Sequence, residues 1–297
     1  MNAQYRHLKK LAHTEKRSEA DLIKAFELES EFHSKILQEY DPAIRKRLYS
    51  QHYDQLHRLR ERAGLHDGAA DLRSKAKLVR LFRKELEGKS VLDVGCGTGT
   101  FLKGIDATLE HKRLLGIDLS PEILPRRNEN VEFIQGDVID FKVDDQFDVA
   151  FSDNVIEHIA PADLSSHLQS IKNALNPGGT LIVQTPNRLF GPYDVTRIID
   201  TTYTNRVAAL GGHLNETTYT ELLQTLMKHG FSSFRTVIPI AHVKYYLPNI
   251  RLSPKFMQAI EGRGRLLSIM YTSDTLSVVF SRLLVVIICN NSSIPVN

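Results

Sequence analysis

An aspartate standing two residues ahead of alternating glycines is the first place in this chain where residue type and spacing could do chemistry: Asp93-Val94-Gly95-Cys96-Gly97-Thr98-Gly99. Glycine lets the backbone turn sharply and lets a ligand approach where a β-carbon would collide. A helix following such a loop presents unpaired N–H groups that favour a negatively charged ligand group. The dinucleotide fingerprint GxGxxG is not met, because Thr occupies position 100 and the third glycine falls at 99. A carboxylate at the strand end would repel a pyrophosphate. Asp93 instead suits a ligand that carries an ammonium or sulfonium charge, and the bland alternative is a structural turn with incidental glycines.

Three further strand ends carry polar residues. Asp118 closes Gly116-Ile117-Asp118-Leu119-Ser120, where an acid can accept two hydrogen bonds from a ribose diol or cap a helix ahead of Pro121; Ser120 is the better cap. Asp137 and Val138 follow the next apolar run and read otherwise as an exposed turn. The string Ser152-Asp153-Asn154-Val155-Ile156-Glu157-His158 ends the fourth. Ligands of open parallel sheets bind outside the carboxyl ends of the strands, which places Ser152, Asp153, Asn154 and His158 near any reacting centre.

The elements that must position these residues follow from periodicity. Apolar runs at 91–94, 114–117, 131–134, 147–151 and 180–183 alternate with helical patterns at about 100–109, 121–127, 155–159 and 163–175. Runs buried on both faces and joined by helices predict an α/β fold with a doubly wound, mostly parallel sheet. A helix from about Thr218 to His229 and two more strands, 234–240 and 283–289 with a helical insert between them, bring the sheet to seven strands. Residues 1–87 lack strand-like runs and predict helices: one carrying Leu22, Phe26, Phe32 and Ile36, one opened by Asp41-Pro42 and ending near Gly64, and one capped by Asp71 and ending at Gly88.

From Ser90 to about Thr185 the chain resembles a class I S-adenosylmethionine-dependent methyltransferase, with the motifs in that family's order and spacing. Within it, Glu157-His158-Ile159 is similar to the branch acting on small molecules and on ubiquinone- or menaquinone-type intermediates. The Asn/Asp-Pro-Pro-Tyr/Phe string of amino-methylating enzymes is missing. The resemblance implies a Rossmann-like fold and S-adenosyl-L-methionine as cofactor. It implies that Asp93, Gly95, Cys96, Gly97 and Gly99 line the methionine and ribose portion, that Asp118 and Leu119 hold the ribose, and that Asp137 and Val138 meet adenine. Ser152 and Asp153 complete the cofactor set. It also implies that, within a domain over 88–297, the insert at about 186–217 shapes the acceptor pocket. Residues 1–87 are read from their own pattern as a helical lid, with a dimerisation or core-capping helix pair as the competing reading.

In-line displacement at an already activated sulfonium methyl asks the protein mainly for alignment and exclusion of water. A hydroxyl acceptor also needs a base, for which His158 is the first candidate and His213 the second. Either histidine could equally serve local packing and capping. Tyr49, Tyr53, Asn154, Asn187, Arg188, Tyr193 and Arg197 are the candidate acceptor contacts, and the two arginines favour an anionic or aromatic small molecule. The reading is therefore O-methylation of a small molecule. C- or N-methylation of a small or lipid-linked intermediate, and a catalytically silent adenosine-ligand scaffold, stand as alternatives.

Composition bounds the rest. At 42% hydrophobic and 25% charged, 297 residues can bury a core without metal or disulfide. The two cysteines, Cys96 and Cys289, match no zinc spacing, so no metal is expected and a reducing, cytoplasmic setting fits. The net charge of +3 does not argue for nucleic acid, although residues 1–90 hold 20 Lys+Arg against 14 Asp+Glu. The N-terminus has no signal-peptide core, and the apolar stretch 276–289 is shorter than the ~20 residues of a membrane span. A homodimer is compatible with all of this.

Overall fold

The computed structural model describes residues 7–62, 68–121, 124, 129–199, 207–239, 243–263 and 284–292. Ahead of the sheet come α1 (Leu8–Glu15), α2 (Glu19–Gln38), α3 (Pro42–Arg62), α4 (Gly68–Leu81) and α5 (Arg83–Leu86). Then follow β1 (Lys89–Val94), α6 (Thr100–Asp106), β2 (His111–Asp118), β3 (Glu132–Gln135), β4 (Phe147–Asp153), α7 (Leu164–Ala174) and β5 (Leu175–Pro186). The last part holds α8 (Tyr219–Lys228), β6 (Phe231–Arg235), α9 (Val243–Tyr246), α10 (Pro254–Glu261) and β7 (Leu284–Asn291).

These strands form one seven-stranded sheet in the order β3-β2-β1-β4-β5-β7-β6. The first five are parallel, and β7 runs antiparallel to both β5 and β6. Successive residues bury on opposite faces. Leu92, Val94, Leu115, Ala150, Leu181, Val285 and Ile287 meet Leu168, Ile171, Leu222, Leu226 and Met257 on one side. Val91, Leu114, Val149, Phe151, Ile182, Val286 and Ile288 meet Leu78, Phe82, Leu86, Phe101 and Leu102 on the other. That two-sided burial is why the strands read as continuous apolar runs.

Several boundaries differ from the sequence reading. Asp71 lies inside α4, which begins at Gly68, so it is not a cap; the run to Gly88 is split at Phe82 into α4 and α5. The helix expected at 155–159 is a single 3-10 turn, Ile156–His158. Strand β5 starts at Leu175, ahead of the Asn176-Pro177-Gly178-Gly179 turn, because Leu175 already pairs with Phe147. The carboxyl-side edge strand β6 begins at Phe231, three residues earlier than expected. Most of the 121–127 helix, the end of the 234–240 strand and much of the 276–289 run lie outside the described residues. Both cysteines are free and buried, and no helix among the described residues is long and apolar enough to cross a membrane.

The N-terminal helices bind to the carboxyl edge of the sheet. Asp41 caps α3 through Ala43 N–H at 2.8 Å, and Pro42 takes the first helical position. One turn on, buried Arg45 forms a forked ion pair with Asp163, the residue preceding α7, and donates to the Glu39 and Tyr40 carbonyls. Phe32, Ile36 and Tyr49 pack with Ala160 and Leu214, and Leu22 and Phe26 with Ile198.

Candidate functional site

The glycine loop is held by β2. Gly95 and Cys96 both donate to the Ile117 carbonyl, at 2.8 and 3.0 Å. Gly95 (φ +78) has no room for a side chain, since a β-carbon there would sit 2.4 Å from Val155 Cγ2. Asp118 reaches back: its Oδ2 accepts Gly97 N–H at 2.8 Å and its Oδ1 accepts Ser120 N–H at 3.1 Å. One carboxylate thus pins the loop and the exit of β2, and burial raises its pKa despite those two donors and a third from Leu119.

Asp93 is buried behind this loop. Burial pushes its pKa up to about 7; the Lys75 ammonium works the other way, while Asp153 and Asp118 add to the rise. Lys75, on α4, is bonded to Asp153 at 2.8 Å, and Asp153 also accepts from Gln184 at 2.6 Å and Asn154 at 3.0 Å. Sequence reasoning missed Lys75, because a lysine on an amphipathic helix carries no mark of the sheet edge it will meet.

A cavity of about 470 Å³ opens at the carboxyl ends of the strands. Its walls include Gly95, Asp118, Leu119, Asp137, Val138, Asn154 and His158 from the sheet, Tyr49 and Tyr53 from α3, and Tyr193 and His213 from the segment after β5. Arg17, Glu29, Ile139 and Asp194, which were not singled out from sequence, also line it, as does Ser120, read there only as a cap. Asp93, Cys96, Gly97, Gly99, Ser152 and Asp153 do not line it. Asp137 lines the cavity and also holds its own turn, accepting Ile139 N–H at 2.9 Å. Tyr49 hydroxyl accepts Ala160 N–H at 2.7 Å, which fixes α3 to the sheet edge.

The expected acceptor arginines are elsewhere. Arg188 is paired with Glu221 at the surface, and Arg197 does not line the cavity. Asn187 is buried and donates to Glu261 at 3.1 Å while its own carbonyl caps Leu189, so it organises the chain after β5. The guanidinium that does line the cavity is Arg17, in the α1–α2 turn.

At the far wall the two histidines meet edge to face, with ring centroids 4.8 Å apart. His158 Nδ1 bonds the Gly212 carbonyl at 2.9 Å, which assigns its proton to Nδ1 and leaves Nε2 as the basic nitrogen. Tyr53 faces the same ring edge-on at 6.2 Å. His213 Nδ1 bonds Glu216 at 2.6 Å. Burial disfavours the charged His213 ring, but Glu216, Glu157 and Asp194 together outweigh it and raise its pKa to about 9. His213 therefore carries its proton near neutrality in the unliganded protein. Glu157, wholly buried, is pushed up to about 7 by burial against the opposing pull of His213.

The sequence model of a family described as "Methyltransferase domain" matches residues 85–228. Among curated proteins, a malonyl-[acyl-carrier protein] O-methyltransferase of Calditerrivibrio nitroreducens is 28% identical over 155 residues, covering 52% of this chain and 57% of its own length. A mitochondrial ubiquinone biosynthesis O-methyltransferase of Dictyostelium discoideum is 28% identical over 147 residues, covering 43% and 44%. An uncharacterised 37.1 kDa protein in transposon TN4556 of Streptomyces fradiae is 35% identical over 108 residues, covering 34% and 31%. The chain thus spans from 31% to 57% of the length of these relatives.

Proposed function

We propose, from the premise that this chain belongs through residues 85–228 to the class I S-adenosylmethionine-dependent methyltransferases, that it methylates a hydroxyl oxygen of a small molecule held in the 470 Å³ cavity. Asp118 takes the ribose diol, Asp137 and Val138 take adenine, and Asp93 favours the positively charged end of the cofactor. The acceptor lies between Tyr53, Tyr193, His158 and His213, and Arg17 admits an anionic substituent. His158 Nε2 is the group placed to weaken the acceptor O–H bond.

The observation that carries this reading is the tautomer of His158. A backbone carbonyl fixes its Nδ1 proton while the ring lines the cavity that Gly95 and Asp118 also line. Two of the relatives named above are O-methyltransferases, which agrees with an oxygen acceptor. The test is His158→Ala, measured as turnover on an identified acceptor and as affinity for S-adenosylhomocysteine. Turnover is expected to fall by about 10²-fold or more with product affinity nearly unchanged; equal losses in both, or unchanged turnover, would defeat the assignment.

A further inference from the structure

Along the cavity wall that His158 and His213 line, Glu157, His158 and His213 each offer one ligand atom, and those atoms lie within 4.8 Å of one another. The backbone holds the group together: Leu214 and Asn215 N–H both donate to the Glu157 carbonyl, at 2.7 and 2.9 Å. Each imidazole has its Nδ1 already engaged, His158 with the Gly212 carbonyl at 2.9 Å and His213 with Glu216 Oε1 at 2.6 Å. A carbonyl or carboxylate on the outer ring nitrogen is how metal-binding histidines are oriented and made more basic. Glu157 Oε2 accepts the Thr185 hydroxyl at 3.0 Å, whereas its Oε1, on a fully buried side chain, has no hydrogen-bond partner among the described residues. A buried carboxylate oxygen left unpaired calls for a ligand.

We infer that Glu157, His158 and His213 bind one divalent metal ion beside the acceptor. Two imidazoles and one carboxylate suit manganese, iron or zinc better than magnesium or calcium. Metal bonds of about 2.0–2.2 Å hold two ligand atoms no more than about 4.4 Å apart, so the widest separation in this group must close on binding.

This rests on the oxygen-acceptor reading and deepens it, with His158 acting as a ligand of the ion rather than as the base itself. An acceptor hydroxyl bound at the ion's open position loses its proton more readily, and that proton leaves to solvent. The oxygen lone pair then forms the O–CH3 bond while the C–S bond breaks with its electrons kept on sulfur. The sulfonium becomes a neutral thioether, and the ion's charge is unchanged.

The test is titration of full-length, chelator-stripped protein with MnCl2, reading free Mn2+ by electron paramagnetic resonance. Saturable binding of one ion per chain is expected. Glu157→Gln and His213→Asn should each weaken it at least about tenfold, and Glu216→Gln, which leaves the ligands in place, by roughly 10–100-fold. S-adenosylhomocysteine binding reports that each variant is folded; if Glu157→Gln fails that check, the other two carry the comparison. No saturable binding by the wild type, or binding unchanged in the folded variants, would overturn the site. O-methylation at full rate by ion-free protein would overturn the metal and leave the oxygen reading standing. Ion binding with a product methylated on nitrogen or carbon would do the reverse.

Discussion

Asp93 is the residue whose chemistry is most exposed to measurement. Its carboxyl group is buried and raised to about 7, so the unliganded protein pays for ionising it. Relative to an unfolded-state value of 3.8, the neutral form stabilises the fold below about pH 4, and that contribution is lost as pH rises through about 7. A cationic ligand reverses the balance by favouring the carboxylate, so binding releases a proton wherever Asp93 is still protonated. Affinity for S-adenosylmethionine is therefore expected to rise from pH 6 to pH 8, and Asp93→Asn to flatten that rise; calorimetry in buffers of different ionisation enthalpy measures both. A wild-type affinity that falls over this interval would refute the assignment. The acids at 93, 118 and 137 stood out in sequence at or just after apolar runs, and the folded chain puts Asp118 and Asp137 on the cavity wall and Asp93 off it. The grouping of Glu157 with His213 was not legible, because only the folded chain brings that distant segment beside it.

At the scale of elements, the strands were legible because burial on both faces writes them as unbroken apolar runs, as in β1, β2 and β4. Helix limits were less so. Asp71 matches a cap by type, yet α4 starts three residues earlier, at Gly68. The acceptor-side residues fared worst, since Asn187 and Arg188 found partners in Glu261 and Glu221, on α10 and α8, which no local pattern announces. The element that ties the N-terminal helices to the site is α3, through Arg45 and Asp163. Both side chains are buried, so removing one leaves the other's charge without compensation. Arg45→Met is expected to cost about 3–5 kcal/mol in urea denaturation, and less when Asp163→Asn accompanies it. Additive losses in the double variant would show that the pair does not act as a unit.

Across the whole molecule, the 1–87 segment divides in two. Leu78, Val79, Leu81, Phe82 and Leu86 are core residues under β1 and β4, whereas α1, α2 and α3 close over the cavity. The lid we propose is therefore α1, α2 and α3, and α4 and α5 belong with the sheet. Removing 1–67 should leave a folded protein that binds cofactor more weakly and has lost acceptor turnover. Removing 1–87 should instead lower the melting temperature sharply, by taking five buried side chains from the core; full activity in the shorter deletion would rule the lid out. The central claim is that cofactor and acceptor meet at the carboxyl edge, between Asp118 and His158. A crystal structure of the S-adenosylhomocysteine complex tests it most directly. The account predicts the ribose hydroxyls on Asp118 and the sulfur facing the cavity wall formed by Asn154 and His158; a ribose away from Asp118, or a sulfur turned from that cavity, would contradict it.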